Sequence, residues 1–190
     1  HHTRVSRMKI FKAQDYKETP WKNGGGITRE IALKEDEDGF LWRLSIADVH
    51  TDGPFSSFPD RHRILTVIAG VGMRLKDRQT GAVIEALPQR PIDFRGDQEI
   101  DSELLAGPIQ DFNVMFDPLR VKAEVRVLRD DTALSPPEGL NAVYCLSGAG
   151  KLDQQEIRAG ETVIWDTGPG LALAVPGDTA ILSIHLAIVE

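Results

Sequence analysis

A chain of 190 residues, 41% hydrophobic and 27% charged, can bury a sizeable core as one large or two small domains, and its composition argues against disorder. A formal charge of −7 works against sequence-independent nucleic-acid binding, which needs lysine and arginine to neutralise phosphates. No run approaches the ~18 apolar residues that span a bilayer, no signal peptide is legible, and the single cysteine, Cys145, leaves no intrachain disulfide or Cys-based zinc site. A soluble cytoplasmic protein with no nucleic-acid or membrane partner is the expectation.

His1 and His2 read as the end of an expression tag and Met8 as a native start, so residues 1–7 are set aside. Residues 11–17 suggest a single helical turn or an irregular loop. Residues 19–32 then read TPWKNGGGITREIA. Three glycines in succession let the backbone take positive φ or pass close to a ligand where Trp21, Lys22 and Asn23 converge. Neither the GxxxxGK[ST] phosphate loop nor the GxGxxG dinucleotide loop is present, and a glycine-rich turn between edge strands remains open as the plainer reading. Residues 27–31 alternate apolar with polar, as a strand with one buried face does.

Further strands are predicted over residues 41–49, 63–69, 73–76, 110–116, 121–128, 142–147, 162–166, 171–175 and 180–189, punctuated by Gly, Pro and Asp. Between the first two lies GPFSSFP (53–59), part of which, residues 54–57, reads as a helical turn or irregular loop. IAGVGMRL (68–75) resembles LSGAGKL (146–152), each a strand, a Gly-x-Gly turn and a second strand. Phe94, Gly107 and the strand from Asp111 are mirrored by Trp165, Gly177 and the strand from Ile181. A duplicated roll explains both matches, with chance similarity of hairpins as the alternative. The fold class is therefore all-β and bicupin-like, two antiparallel β-rolls or barrels packed together. Residues 8–128 would form the first roll, with the main pocket, and 129–190 the second, with strands exchanged between the two.

Period two puts polar groups on shared faces: Thr28 with Glu30, Arg43 with Ser45, and Asp111 with Asn113 and Met115. These are either the wet side of half-buried sheets or, in a small barrel, the wall of an enclosed polar pocket. Phe55 and Phe58, followed by Arg61 and Arg63 at strand spacing, suit a small planar or carboxylate-bearing ligand, or else plug a barrel end. Histidines 50, 62 and 185 stand apart without His-x-His spacing, a poor metal set, so no metal and no cofactor is expected. No GxSxG elbow or triad order is legible, and Cys145 sits in an apolar strand.

Four blocks, PWKNGGGITREIA (20–32), WRLSIADVHTDGPFSSFP (42–59), RILTVIAGVGMRL (63–75) and LLAGPIQDFNVM (104–115), taken in order, resemble the HutD/Ves family of the cupin superfamily. The likeness is close over about residues 8–128 and by pattern beyond. It implies a bicupin-like fold linked to bacterial histidine utilisation, and a small-molecule-binding regulator. Carried over position by position, it points to Trp21, Lys22, Asn23, Thr28 and Glu30, to Arg43, Ser45, Phe55, Ser56, Phe58 and Arg63, and to Asp111, Asn113 and Met115. Two departures stand out. Asp60 occupies a position where the family usually has Gly, and FDPLR (116–120) replaces a more basic run.

The expected function is metal-free binding of a small anionic metabolite with a regulatory role. The resemblance implies a histidine-degradation intermediate, urocanate or formyl- or formiminoglutamate. Lys22 with Arg43 or Arg63 would hold a carboxylate; Asn23, Ser45, Asp111 and Asn113 would orient the rest; Phe58 would close the wall. The alternatives are a cupin-type hydrolase or isomerase using Glu30 or Asp111 as general base, and an interaction protein meeting a regulatory partner. A homodimer is a further expectation left open.

Overall fold

A computed structural model describes residues 8–134, 139–166, 168 and 170–189; the tag assigned to residues 1–7 lies outside them. The strands pair antiparallel, and a 3-10 turn at Ala13–Asp15 falls inside the segment read as a helical turn or loop. No helix among the described residues is long and apolar enough to cross a membrane. Two compact units divide the chain: Tyr16–Leu119 form one, and the segments up to Asp15 and from Arg120 form the other.

In chain order, β1 (Lys9–Phe11) belongs to the second unit. The first unit then runs through β2 (Lys17–Pro20), β3 (Gly26–Asp36), β4 (Gly39–Val49), β5 (Gly53–Pro54), β6 (His62–Ala69), β7 (Met73–Asp77), β8 (Val83–Ala86), β9 (Ile92–Arg95), β10 (Ile100–Leu104) and β11 (Ile109–Phe116). The second unit continues with β12 (Val121–Leu128), β13 (Thr132–Leu134), β14 (Leu140–Ser147), β15 (Ala149–Leu152), β16 (Gln155–Arg158), β17 (Thr162–Asp166), β18 (Leu171–Ala174) and β19 (Ala180–Ile188).

The first unit holds a six-stranded sheet in the order β2-β3-β4-β11-β6-β9 and a four-stranded sheet in the order β5-β10-β7-β8. The second holds β1-β17-β14-β19-β12 and β13-β18-β15-β16. Reading β4-β11-β6-β9 against β12-β19-β14-β17, and β5-β10-β7-β8 against β13-β18-β15-β16, the two orders coincide strand for strand. The repeated Gly-x-Gly turns are thus equivalent corners of a duplicated roll. Gly70 and Gly148 both take positive φ, 91° and 74°, and a Cβ at either would strike the turn ahead of the last strand, Pro108 O at 2.6 Å or Thr179 Oγ1 at 2.4 Å. Strand β12, which the expected boundary at residue 128 put in the first roll, pairs with β19 across eight register positions in the second unit.

Central strands of the six-stranded sheet are buried on both faces, so that in β4 and β11 polar members of the alternation, Ser45, Asp111 and Asn113, are buried as well. One face carries Leu44, Ile46, Phe112 and Val114. On the other, Ala47, Val49, Leu65 and Val67 join Met73, Leu75, Ala86 and Ile100 of the four-stranded sheet in the core of the roll. That second face continues beyond the core into polar residues. A roll whose inner wall changes from apolar to polar along the strands has a core at one end and room for a polar ligand at the other.

Candidate functional site

Register builds the polar wall row by row. Thr28, Ala47 and Asp111 are cross-strand partners, with Val67 beyond. The next row is Glu30, Ser45, Asn113 and Leu65, and the next Leu33, Arg43, Met115, Arg63 and Phe94. A bulge between Glu30 and Ala32 places Leu33, not Ala32, opposite Arg43.

The glycine-rich segment is the hairpin joining β2 to β3, so the plainer turn reading and the shaped-loop reading describe the same object. Trp21 N donates to Gly26 O at 2.9 Å, Gly24 N to Trp21 O at 3.0 Å, and Gly25 N to Asn23 Oδ1 at 2.8 Å. The Asn23 carbonyl therefore shapes the turn, leaving its Nδ2 to the cavity. Trp21 Nε1 donates to Thr28 Oγ1 at 2.8 Å and lays its ring along Gly26, where a Cβ would meet Asp48 O at 2.3 Å and the indole at 3.0 Å. Gly26→Ala is expected to destabilise the fold by about 2 kcal/mol, since backbone and ring must both shift; urea denaturation that leaves stability unchanged would show the hairpin can relax around it.

A cavity of about 520 Å³ opens beneath this hairpin, lined by Trp21, Lys22, Asn23, Thr28, Arg43, Ser45, Phe55, Ser56, Phe58, Arg63, Asp111, Asn113 and Met115. Of the residues singled out from sequence, Glu30 does not line it. Glu30 Oε1 instead accepts from Arg43 Nε at 3.0 Å, an ion pair flanking the wall. Thr19, Pro20, Ala47 and Pro54 also line the cavity; they lie within the glycine-rich segment or the motif blocks, with Ala47 on the face of Arg43 and Ser45, but were not among the residues singled out as ligand-binding.

Arg63 is the centre of the site. It is 6% exposed and lies 5.3, 5.6 and 5.1 Å from the ring centres of Phe55, Phe58 and Phe94. Phe94 escaped the sequence reading of the site, although its match with Trp165 in the repeat had marked it. One guanidinium nitrogen, Nη2, donates to Asn113 Oδ1 at 3.2 Å and Nη1 reaches Ser56 O at 3.4 Å, while Nε has no partner among the described residues. Asn113 Nδ2 in turn donates to Asp111 Oδ1. Burial and the neighbouring Arg43 pull the Arg63 pKa down to about 10, with Asp111 opposing. Burial lifts Asp111, 1% exposed, to about 7 against the pull of Arg63 and Asn113.

Arg61, at strand spacing from Arg63, has a different task. It donates to Phe40 O at 2.8 Å and Asp38 O at 3.0 Å and lies 5.2 Å over the Phe40 ring, holding the β3–β4 turn. Asp60 takes a φ of 63°, the left-handed conformation that explains a glycine preference there. Among the described residues no group of three His, Cys, Asp or Glu is placed to hold a metal ion. Lys22, Arg43 and Arg63 against Glu30 and a half-protonated Asp111 give the site an excess of positive charge, suited to an anion.

The sequence model of the HutD family matches residues 13–183. A Pseudomonas putida protein described as an uncharacterized 21.2 kDa protein in the hutC 3' region is 42% identical over 64% of this chain and 65% of its own length, so the alignment spans just under two thirds of that relative. Protein Ves of Cronobacter sakazakii is 32% identical over 85% of this chain and 88% of its own. The structure of HutD from Pseudomonas fluorescens SBW25, from a formate condition, superposes with a TM-score of 0.87 at 32% identity, covering 96% of this chain and all of that one. A bacterial pirin from Escherichia coli in complex with nickel(II), 10% identical with a TM-score of 0.70 over 96% of this chain and 100% of its own, shares the fold alone.

Proposed function

The chain belongs to the HutD family, and from that premise we propose that it binds a small anionic metabolite of histidine degradation without a metal and serves as a regulatory sensor of that pathway. The observation that carries this reading is Arg63: a buried guanidinium with no carboxylate in ion-pair contact, an unpartnered Nε and a cavity in front of it. A buried cation whose nearest acid, Asp111, is held off by Asn113 is costly, and a ligand carboxylate supplies a contact partner. Lys22 at the mouth adds a second positive charge, Ser45 and the Asn23 amide offer hydrogen bonds to the rest of the ligand, and Phe58 with Phe55 bounds a planar group. A cavity of about 520 Å³ accommodates urocanate, formylglutamate or formiminoglutamate.

Isothermal titration calorimetry of the metal-stripped protein against these three, glutamate and histidine tests the reading. Saturable heat from one of them supports it, and no heat with no competition from any overturns it. Arg43→Ala removes a wall cation and leaves Glu30 uncompensated, so affinity for the ligand is expected to fall at least about tenfold with the fold retained; unchanged affinity removes Arg43 from the binding wall.

One observation favours a second reading. Asp111, with its pKa near 7, is poised to exchange a proton with a bound substrate, as a general base requires. Turnover that disappears in Asp111→Asn while binding persists would make the protein a hydrolase or isomerase. Glu30, tied to Arg43 and outside the cavity lining, is the weaker candidate for that role.

A further inference from the structure

Because both units repeat one strand order, the wall positions of the first cavity on β4, β11, β6 and β9 have counterparts in the second unit on β12, β19, β14 and β17. Arg63 on β6 stands opposite Phe94 on β9 and Met115 on β11. Its counterpart Asn141 on β14 stands opposite Trp165 on β17 and His185 on β19. Trp165 packs in the apolar core of the second unit, with Asn141 beside it in register and His185 beyond. Asn141 is 4% and Trp165 6% exposed, yet Asn141 Nδ2, Trp165 Nε1 and His185 Nε2 are all without a hydrogen-bond partner. Buried polar atoms left unpaired are rare and costly. Of the five such side-chain atoms among the described residues, four fall at these two equivalent positions, the fourth being Arg63 Nε in the first cavity.

We propose that the second unit carries its own small-ligand site at Asn141, Trp165 and His185, and that it takes a neutral planar group with a hydrogen-bond acceptor beside an N–H donor, such as a carboxamide. The donor inventory sets the class. His185 Nδ1 is bonded to Asn141 Oδ1 at 2.8 Å, so in the neutral ring Nδ1 carries the proton and Nε2 accepts. Asn141 Nδ2 and Trp165 Nε1 donate. Turning the Asn141 amide over exchanges the roles of Asn141 and His185 but still leaves donors beside one acceptor, because indole can only donate. A carbonyl oxygen answers the donors and an adjacent N–H answers the acceptor.

Charge points the same way. Asn141 replaces the buried cation of the first cavity, and Ile181, opposite Cys145, replaces its buried acid, as Asp111 is opposite Val67. The buried part of the second site is therefore polar without a built-in charge, and it selects a neutral group where the first selects an anion. The exposed ion pair of Glu124 and Arg126 stands across from His185 and Ser183 at its edge. On β19, Ser183 and His185 are half-buried while Ile184 and Leu186 are buried, so a ligand would enter from the side of Ser183 and His185. This inference does not depend on the ligand proposed for the first cavity.

The test is nitrogen-15 NMR of the indole N–H groups, with the Trp165 resonance assigned by its loss in Trp165→Phe and acetamide as the probe. A saturable shift of the Trp165 resonance by acetamide, with Trp21 and Trp42 unmoved and the response retained in Arg63→Met, supports the site. An unmoved Trp165 resonance means that water alone satisfies the three atoms and overturns it. So does a response to sodium acetate equal to that to acetamide, which would make the cluster a simple anion hole, or a response that vanishes in Arg63→Met.

Discussion

Replacing Arg63 by methionine is expected to weaken binding of the anionic ligand by about 100-fold or more while leaving the melting temperature unchanged or raised. Removing one partner of a buried, hydrogen-bonded charge pair costs about 3 to 5 kcal/mol, and in the complex Arg63 is that partner. In the free protein the balance is reversed. Burial opposes the charge strongly enough to pull the Arg63 pKa down to about 10, with Asp111 compensating only in part. Methionine fills a similar volume and its sulfur is at home among Phe55, Phe58 and Phe94. What is lost is a donor to Asn113 Oδ1 at 3.2 Å and one to Ser56 O at 3.4 Å, hydrogen bonds of modest strength. Arg63→Lys keeps the charge but not the planar fork and is expected to fall between, at about tenfold weaker than the parent. Calorimetry and thermal melting on the same preparations separate the two effects. An Arg63→Met protein that binds with the parent affinity would end the proposal that this guanidinium holds the ligand.

The wall around Arg63 was legible in the sequence because period two is a local rule. Arg43 and Ser45, or Asp111 and Asn113, must share a face of any straight strand, and cross-strand pairing of Ser45 with Asn113 and of Arg43 with Met115 brings the two faces into one wall. The resemblance named the same residues for a different reason, and the two readings converge on one cavity. Glu30 shows where the local rule stops. It lies in register with Ser45, but the adjacent bulge and the pull of Arg43 turn it into an ion pair beside the cavity. Phe94 was missed as part of the site because β9 is only four residues, IDFR, two of them exposed, with no alternation long enough to read. The unit boundary was misplaced on similar grounds. Alternation in residues 121–128 says that a strand forms and which face is apolar, not which partner it takes. The partner, β19, is some 60 residues away, and the three-residue β1, which crosses into the same unit, carries no pattern at all.

Asp111→Asn is expected to stabilise the free protein above neutral pH and to remove the pH dependence of both stability and ligand affinity across the range from about pH 4 to pH 7. Asp111 is raised from 3.8 to about 7, chiefly by burial. Between those values the folded chain keeps a proton that the unfolded chain has released. Stability therefore falls as pH rises through this window and stays at its reduced level above it. A shift of that size corresponds to a decline on the order of 4 kcal/mol. Asparagine cannot ionise, still offers an Oδ1 to Asn113 Nδ2, and so removes the decline at the cost of the attraction between Asp111 and Arg63, which burial already outweighs. Binding follows the same charge. An anion brought beside Asp111 raises its pKa further, so complex formation takes up a proton and affinity weakens as pH rises through about 7, by roughly tenfold per 1.4 kcal/mol of repulsion. Chemical denaturation at pH 5 and pH 8, with calorimetry in buffers of different ionisation heat, measures both. A variant that loses stability between those two pH values as steeply as the parent would place the titrating group elsewhere. Proton uptake on binding that survives in Asp111→Asn would separate the ligand from this carboxylate.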